Sequence, residues 1–249
     1  RLFSTSWGAD GAECPIFSLL PMLAAQAQLA YGDAELKNLE EVFYALTGVE
    51  YRYFVAIERV NVVGEYPFTQ QNPSKYMLYN DPFFGIYDTQ VKEGVCKQYK
   101  GYAKRFALYA KQSQNFGYIY DVYAKLCKVL SYKYDLGVRA RETYQNKDVA
   151  GVKEVIADFK KAEKALGEFY QAFRNLWYTE NKPNGFEVQD ARLGGLMLRM
   201  KNCRERLQAY VNGEISDLLS KKVAYEDFAF DRAFFASLPG IDGLTFEKV

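Results

Sequence analysis

"VKEVIADFKKAEKALGEFYQAFRNL", Val152 to Leu176, decides the fold class. Its apolar residues fall at Val152, Val155, Phe159, Ala162, Leu166, Phe169, Phe173 and Leu176, in steps alternating between three and four. A helix of 3.6 residues per turn gathers all of them on one stripe and turns the intervening lysines and glutamates outward. The same spacing recurs on either side. Val95, Tyr99, Tyr102, Phe106 and Tyr109 form one stripe. Ile119, Tyr123, Leu126, Leu130 and Tyr134 form a second, and Leu193, Leu196, Met200, Cys203, Leu207 and Tyr210 a third. A helix with a single apolar face needs neighbours to bury it, so residues of about 91–213 predict a helical bundle. The turns "YQNKDVAG" and "NKPNG" (Pro183, Gly185) are short, which predicts antiparallel neighbours. "NKPNGFEVQDARLGG" sets Glu187 and Asp190 in the first turn of the last helix, where they favour its dipole. Arg192 is then in reach of those acids, and Gly194 and Gly195 point to a close backbone approach.

Upstream the pattern changes. "RLFSTSW", Arg1 to Trp7, predicts a strand ending at Trp7, followed by a loop from Gly8 to Pro15. "IFSLLPMLAAQAQLAY", Ile16 to Tyr31, predicts a helix that is apolar nearly all round and expects cover on several sides. Strand, loop and helix make one βα unit, which cannot bury itself alone. "GDAELKNLEEVFYALTG" predicts a second helix, with Asp33 as N-cap and Gly48 as its stop. Residues 49–88 predict an irregular aromatic loop, interrupted by Pro67, Pro73 and Pro82. Within it "NPSKYMLYNDP" clusters Lys75, Tyr76, Tyr79, Asn80 and Asp81. Ligand contact is one role for this cluster. The favoured one is a proline-pinned loop with packed tyrosines and an Asx-type turn at Asn80-Asp81-Pro82. The tail, residues 214–249, is apolar and glycine-punctuated and is expected to pack back on the bundle.

Composition removes several classes of chemistry. The 249 residues hold 32 basic and 31 acidic side chains, a net charge of +1, which argues against a nucleic-acid partner. No apolar run approaches the ~18 residues of a membrane span, so no membrane partner is expected. Histidine is absent, which excludes Ser-His-Asp and Cys-His catalysis, histidine-ligated zinc and the Glu-x-x-His di-iron site within this chain. Cys14, Cys96, Cys127 and Cys203 form no Cys-x-x-Cys pair, and no metal or organic cofactor is expected. Cys127 and Cys203 fall on apolar stripes, so buried thiols are favoured over disulfides, which suits a reducing, cytoplasmic setting. The chain opens on Arg1 rather than Met, and is expected to be a processed or excised piece.

In "SWGADGAEC", Ser6 to Cys14, Trp7 precedes two acids, Asp10 and Glu13, strung on glycine and alanine. At the C-terminal end of a barrel strand an indole offers a flat face to a sugar ring, and carboxylates accept hydroxyl hydrogen bonds. Equally, Trp7 plugs a core and the acids sit at the start of the following helix.

This stretch, together with "FSLLPMLAAQAQLAYG", resembles the last strand, loop and helix of the catalytic barrel in glycoside hydrolase family 20, the β-N-acetylhexosaminidases. "NPSKYMLYNDPFFGIYD" and "LWYTENKPNGFEVQDARLGGLMLRMKNCRERL" are similar to the C-terminal helical domain of that family's bacterial exo-β-N-acetylglucosaminidase branch. The likeness spans roughly residues 1 to 215. It implies a mainly α chain, in which residues 1–31 are the last βα unit of a (β/α)8 barrel and residues 32–249 a C-terminal helical domain. In that family an Asp-Glu pair on an earlier strand does the chemistry. The Glu is the general acid, and the Asp steers the substrate's acetamido oxygen, which acts as nucleophile with retention. That pair is not in this chain, so no residue here is expected to be catalytic. The resemblance implies that Trp7 lines the subsite of the terminal amino sugar and that Glu13, with Asp10, binds its hydroxyls. The parent would release terminal β-linked N-acetylglucosamine or N-acetylgalactosamine, and the fragment alone would be inactive. Two alternatives differ in class: a non-catalytic helical module that dimerises, and a substrate-side lid acting through Tyr76 and Tyr79.

Overall fold

A computed structural model describes residues 15–32, 36–64 and 72–218. The described chain is mainly helical, with no strand among those residues. The strand expected over Arg1 to Trp7 and the residues expected to contact sugar, Trp7, Asp10 and Glu13, lie outside them. So do Asp33, Pro67 and the tail beyond Leu218.

The long helices match the stripes. They are α5 (Val95–Gln112), α6 (Gly117–Lys133), α7 (Leu136–Gln145), α8 (Val149–Glu180) and α9 (Phe186–Val211). Every member of the α8 stripe from Val152 to Leu176 is buried. Burying one apolar face is what makes so long a helix stable, because propensity alone holds helices weakly in water. α8 packs on α6, α7 and α9, while α6 also packs on α5. That central place explains why α6 buries residues on several sides, among them Ile119, Tyr120, Val122, Cys127 and Leu130. α8 starts where the Asp148 carboxylate accepts the Gly151 N–H at 2.9 Å, an N-cap that satisfies one of the first-turn donors. It ends at Asn181, whose N–H still reaches the Trp177 carbonyl, and the turn to α9 closes as the indole N–H of Trp177 donates to the Lys182 carbonyl at 2.9 Å. Gly185 sits in that turn at φ +100°, a backbone shape that a β-carbon disfavours. The β-carbon of any other residue there would lie 3.1 Å from the Trp177 ring.

Upstream the structure corrects three expectations. The helix expected over Ile16–Tyr31 is a 3-10 turn, Ile16–Leu19, followed by α1, Leu20–Tyr31. Neither contains a buried residue. The second helix, α2, runs Leu39–Thr47 and starts after Asn38 in the left-handed region, later than an Asp33 cap would place it; it does stop at Gly48, φ +69°. The segment 49–88 is not irregular throughout. It holds α3 (Tyr51–Val55), a 3-10 turn (Ala56–Asn61) and α4 (Pro73–Tyr79). Pro73 opens α4 instead of breaking it, because the first helical position has no intrahelical use for an N–H.

The N-terminal helices meet the bundle through an aromatic seam. Phe43 packs edge-on against Phe54 at 5.5 Å, Phe54 against Phe116 at 5.5 Å, and Phe17 against Phe116 at 5.9 Å. The carboxylate of Glu180, at the end of α8, accepts the Ile16 N–H at 2.7 Å and the Tyr118 hydroxyl at 2.9 Å. The outer side of the same helices is unlike the rest of the surface. Ile16, Met22, Leu23, Leu29, Leu36, Val42, Tyr44 and Leu46 are all exposed, Leu46 at 75%. Among the described residues, twelve exposed large apolar side chains precede Gly64 and five follow it, although most of those residues follow it. Single exposed apolar residues are ordinary, but so uneven a distribution along the chain is not.

Candidate functional site: a clamped loop beside an apolar cleft

The loop after α4, "NDPFFGIYD", Asn80 to Asp88, is held by cations from three helices. Asp81 is the hub. One carboxylate oxygen accepts the N–H groups of Phe83 at 2.8 Å and Phe84 at 2.9 Å, the Asx-type turn that the sequence predicts. Arg199 of α9 then binds both oxygens, through Nε at 2.5 Å and Nη2 at 3.1 Å. The guanidinium also stands over the rings of Phe83 and Phe84, 5.6 and 5.7 Å from their centroids. Bidentate pairing with stacking is a use of arginine that lysine cannot replace. From α7, Arg141 donates to the Pro82 carbonyl at 2.6 Å and pairs with Asp88. Asp88 in turn accepts from the Asn80 amide at 3.2 Å, while Asn80 Oδ1 accepts the Tyr87 N–H at 3.1 Å. Gly137 lets α7 come this close, since a β-carbon there would lie 2.8 Å from the Pro82 carbonyl oxygen.

The third cation is Lys133, buried at the end of α6. Its ammonium donates to the carbonyls of Asn80 at 2.6 Å and Met77 at 3.2 Å, the last turn of α4, where a cation also favours the helix dipole. Burial pulls its pKa down to about 8, against the opposing field of Asp81. Between pH 8 and the ordinary lysine value the unfolded chain therefore holds a proton that the folded chain has released. Stability gains from this group as pH rises through that window. Lys133→Met should abolish that gain. The wild-type unfolding free energy minus that of the variant is expected to grow between pH 8 and 10, and a pH-independent difference would count against the assignment.

Beside the clamp lies a cleft of about 290 Å³, bounded by α4, α6, α8, α9, the Ala56–Asn61 turn and the entry turn at Pro15 and Ser18. Leu78, Val122, Leu126, Phe169, Phe173 and Leu193 make its floor. Lys75 and Tyr79 of the "NPSKYMLYNDP" cluster line it, whereas Tyr76 turns to the ring of Tyr87 at 5.3 Å. Gln189 of α9 lines it too and is 5% exposed.

Other sequence expectations divide. Cys127 and Cys203 are buried free thiols, and Cys96 is a free thiol in a half-buried position; burial pushes the Cys203 thiol up to about 12. Such thiols are inert as nucleophiles at neutral pH. Glu187 does act at the start of α9, accepting the Gly185 N–H at 2.7 Å. Asp190 instead accepts the Tyr170 hydroxyl at 2.7 Å. The close approach expected at Gly194 and Gly195 is absent among the described residues, since a β-carbon on either would meet nothing within 4 Å. The described residues contain no cluster of acids and cysteines able to hold a metal, and no helix long and apolar enough to cross a membrane.

Long helices α5 to α9 packed around α8, with the loop after α4 held to them by Arg141, Arg199 and Lys133, define a helical domain. Residues 52–229 match the model of the glycoside hydrolase 20C C-terminal domain, and the chain belongs to this family. No curated protein matches the chain in sequence.

Proposed function

We propose that this chain is the closing part of a retaining exo-β-N-acetylhexosaminidase-like glycoside hydrolase, in which residues 1–31 complete a catalytic barrel and the helical domain braces it. The observation that carries this is the place of the exposed apolar surface. It is concentrated on the Ile16–Leu19 turn, α1 and α2, all of which lie upstream of the residues that match the C-terminal domain family. A surface of that kind, at the junction with a preceding domain, is what a docking face requires. In this reading Trp7, Asp10 and Glu13 supply the last wall of the pocket for the terminal amino sugar. The Asp-Glu pair that performs substrate-assisted hydrolysis belongs to the polypeptide ahead of Arg1.

The bracing helices are antiparallel neighbours. Support comes from contacts between α8 and α9: Glu163 pairs with Arg204 at 2.6 Å, Tyr170 with Asp190 at 2.7 Å, and Phe173 packs on Phe186 at 5.9 Å. As the α8 number rises the α9 number falls, the pattern of two helices joined by a tight turn.

An assay with 4-nitrophenyl N-acetyl-β-glucosaminide separates the fragment from its parent. The 249-residue chain is expected to give no turnover above buffer. The same chain extended upstream through the whole barrel is expected to hydrolyse the substrate, and to lose that activity when the Asp-Glu pair is replaced. Hydrolysis by the short chain would overturn the proposal.

A further inference from the structure

We propose that the groove between α5 and α6 is a binding surface for a strand of acidic polysaccharide, a sugar polymer that carries carboxylate or sulfate groups. The chain as a whole is balanced, with 32 basic and 31 acidic residues, but α5 is not. Its 18 residues hold Lys97, Lys100, Lys104, Arg105 and Lys111 and no acid. All five cations are exposed, and none has an ion-pair partner among the described residues. Lys97, Lys100, Lys104 and Lys111 follow one another in steps of three, four and seven, so they share one stripe of the helix. At 1.5 Å per residue that stripe is roughly 20 Å long. An ordinary solvated helix face mixes the two signs, because like charges three or four residues apart repel. Lys100 and Lys104 stand four apart with no acid on their own helix to offset them.

The stripe meets a second set of cations across the groove. Lys100 and Lys104 line a space of about 270 Å³ from α5, and Lys125 and Lys128 line it from α6. Two acids temper the charge. Asp121 lines the groove, and Glu168 of α8 pairs with Lys128 at 2.7 Å and Lys125 at 3.7 Å. The α5 lysines stay unpaired, so the balance is positive. Cations on both sides of a groove complement a linear polyanion lying in it, whereas a flat anionic surface reaches only the crest. The lining then selects the kind of strand. Single-stranded nucleic acid needs aromatic platforms for its bases, and Tyr132 is the one aromatic residue among the described residues that line the groove. Sugar rings can lay their C–H faces on the small side chains of Ala103 and Ala107. Their acidic groups then meet lysine ammonium groups, point charges on flexible stems that accept varied directions of approach. The choice of a sugar polymer among polyanions rests on the hydrolase reading proposed above; the unpaired basic stripe does not.

The full 249-residue chain is titrated calorimetrically, at about 50 mM salt to limit screening, with a chondroitin sulfate octasaccharide. Parallel titrations use N-acetylchitohexaose, which is uncharged, and a single-stranded oligothymidylate of equal charge. The acidic octasaccharide is expected to bind saturably, the uncharged one not at all, and the oligothymidylate more weakly than the first. Lys100→Gln with Lys104→Gln is expected to weaken octasaccharide binding about tenfold, the loss of two exposed charge contacts. Both positions are exposed, so the fold is expected to tolerate the change. Lys182→Gln with Lys201→Gln removes the same charge from the α8–α9 turn and α9 and is expected to leave the affinity unchanged. No binding at low salt, equal affinity in the Lys100/Lys104 variant, an equal loss in the Lys182/Lys201 variant, or tighter binding of the oligothymidylate would each overturn the proposal. Hydrolysis by the upstream-extended chain without octasaccharide binding by the short one would overturn this inference alone, whereas binding without hydrolysis would support the groove and overturn the hydrolase reading.

Discussion

Asp81→Ala is expected to lower the unfolding free energy by roughly 3–5 kcal/mol, the range for removing one partner of a buried ion pair. The Asp81 carboxylate is 12% exposed and receives two backbone N–H groups and both arms of Arg199. Without it the loop loses its turn, Arg199 loses the carboxylate it binds with two nitrogens, and Lys133 loses the favourable field of that charge. The outer edge of Arg199 is partly exposed, and solvent screening there places the result at the low end of the range. The same residue sets an acid sensitivity. Burial raises the Asp81 pKa, but the Arg199 hydrogen bond and charge and the two amides lower it further, so the folded value lies below the ordinary 3.8. A depressed carboxylate contributes stability above the ordinary value that is lost as pH falls through the folded one. Urea unfolding from pH 6 down to pH 2.5 should show a steeper loss for the wild type than for Asp81→Ala. A loss under 1 kcal/mol at pH 7 would mean that the clamp is ornamental.

Phe159→Ala is expected to cost about 3–5 kcal/mol, the range for truncating a buried phenylalanine. Phe159 is fully buried in the first half of α8, the helix that α6, α7 and α9 all contact, so a void there is expected to close poorly. Leu198→Ala on α9 is the control, because Leu198 is 64% exposed and such a change is expected to stay within about 0.5 kcal/mol. Guanidinium midpoints of the two variants and the wild type decide the matter. Equal midpoints for both variants would place the α8 stripe outside the core.

The stripes were legible because a single-faced helix writes its burial into its own sequence. Val152, Phe159, Leu166 and Phe173 are all buried for that reason. Gly48 and Gly185 were legible as helix boundaries because a positive φ restricts the residue type. α4 was not legible, since Pro73 marks a helix start or an interruption equally well until its neighbours are known. Arg199 and Lys133 carried no warning either. Each sits beside an apolar stripe, and the partner that makes Arg199 intelligible, Asp81, is 118 residues away. Gly194 and Gly195 suggested a close approach but face open space, so small size there answers no packing demand among the described residues. The cleft has no local signature because five elements and the entry turn build it. The exposed face of α1 is the reverse case. Its all-round apolar composition predicts cover on several sides, whereas α1 has no buried residue among the described ones.

This exposure makes α1 the place to test whether the helical domain docks on a preceding barrel. Amide hydrogen exchange along α1, Leu20–Tyr31, is compared in the 249-residue chain and in the chain extended upstream through the barrel. A helix without buried residues opens with little free-energy cost, and one covered on both sides opens only with its domain. Exchange is therefore expected to be fast in the short chain and slowed by about a hundredfold or more in the extended one. Equal exchange in the two proteins would contradict the docking of this face and, with it, the account of the chain as the closing part of a larger hydrolase.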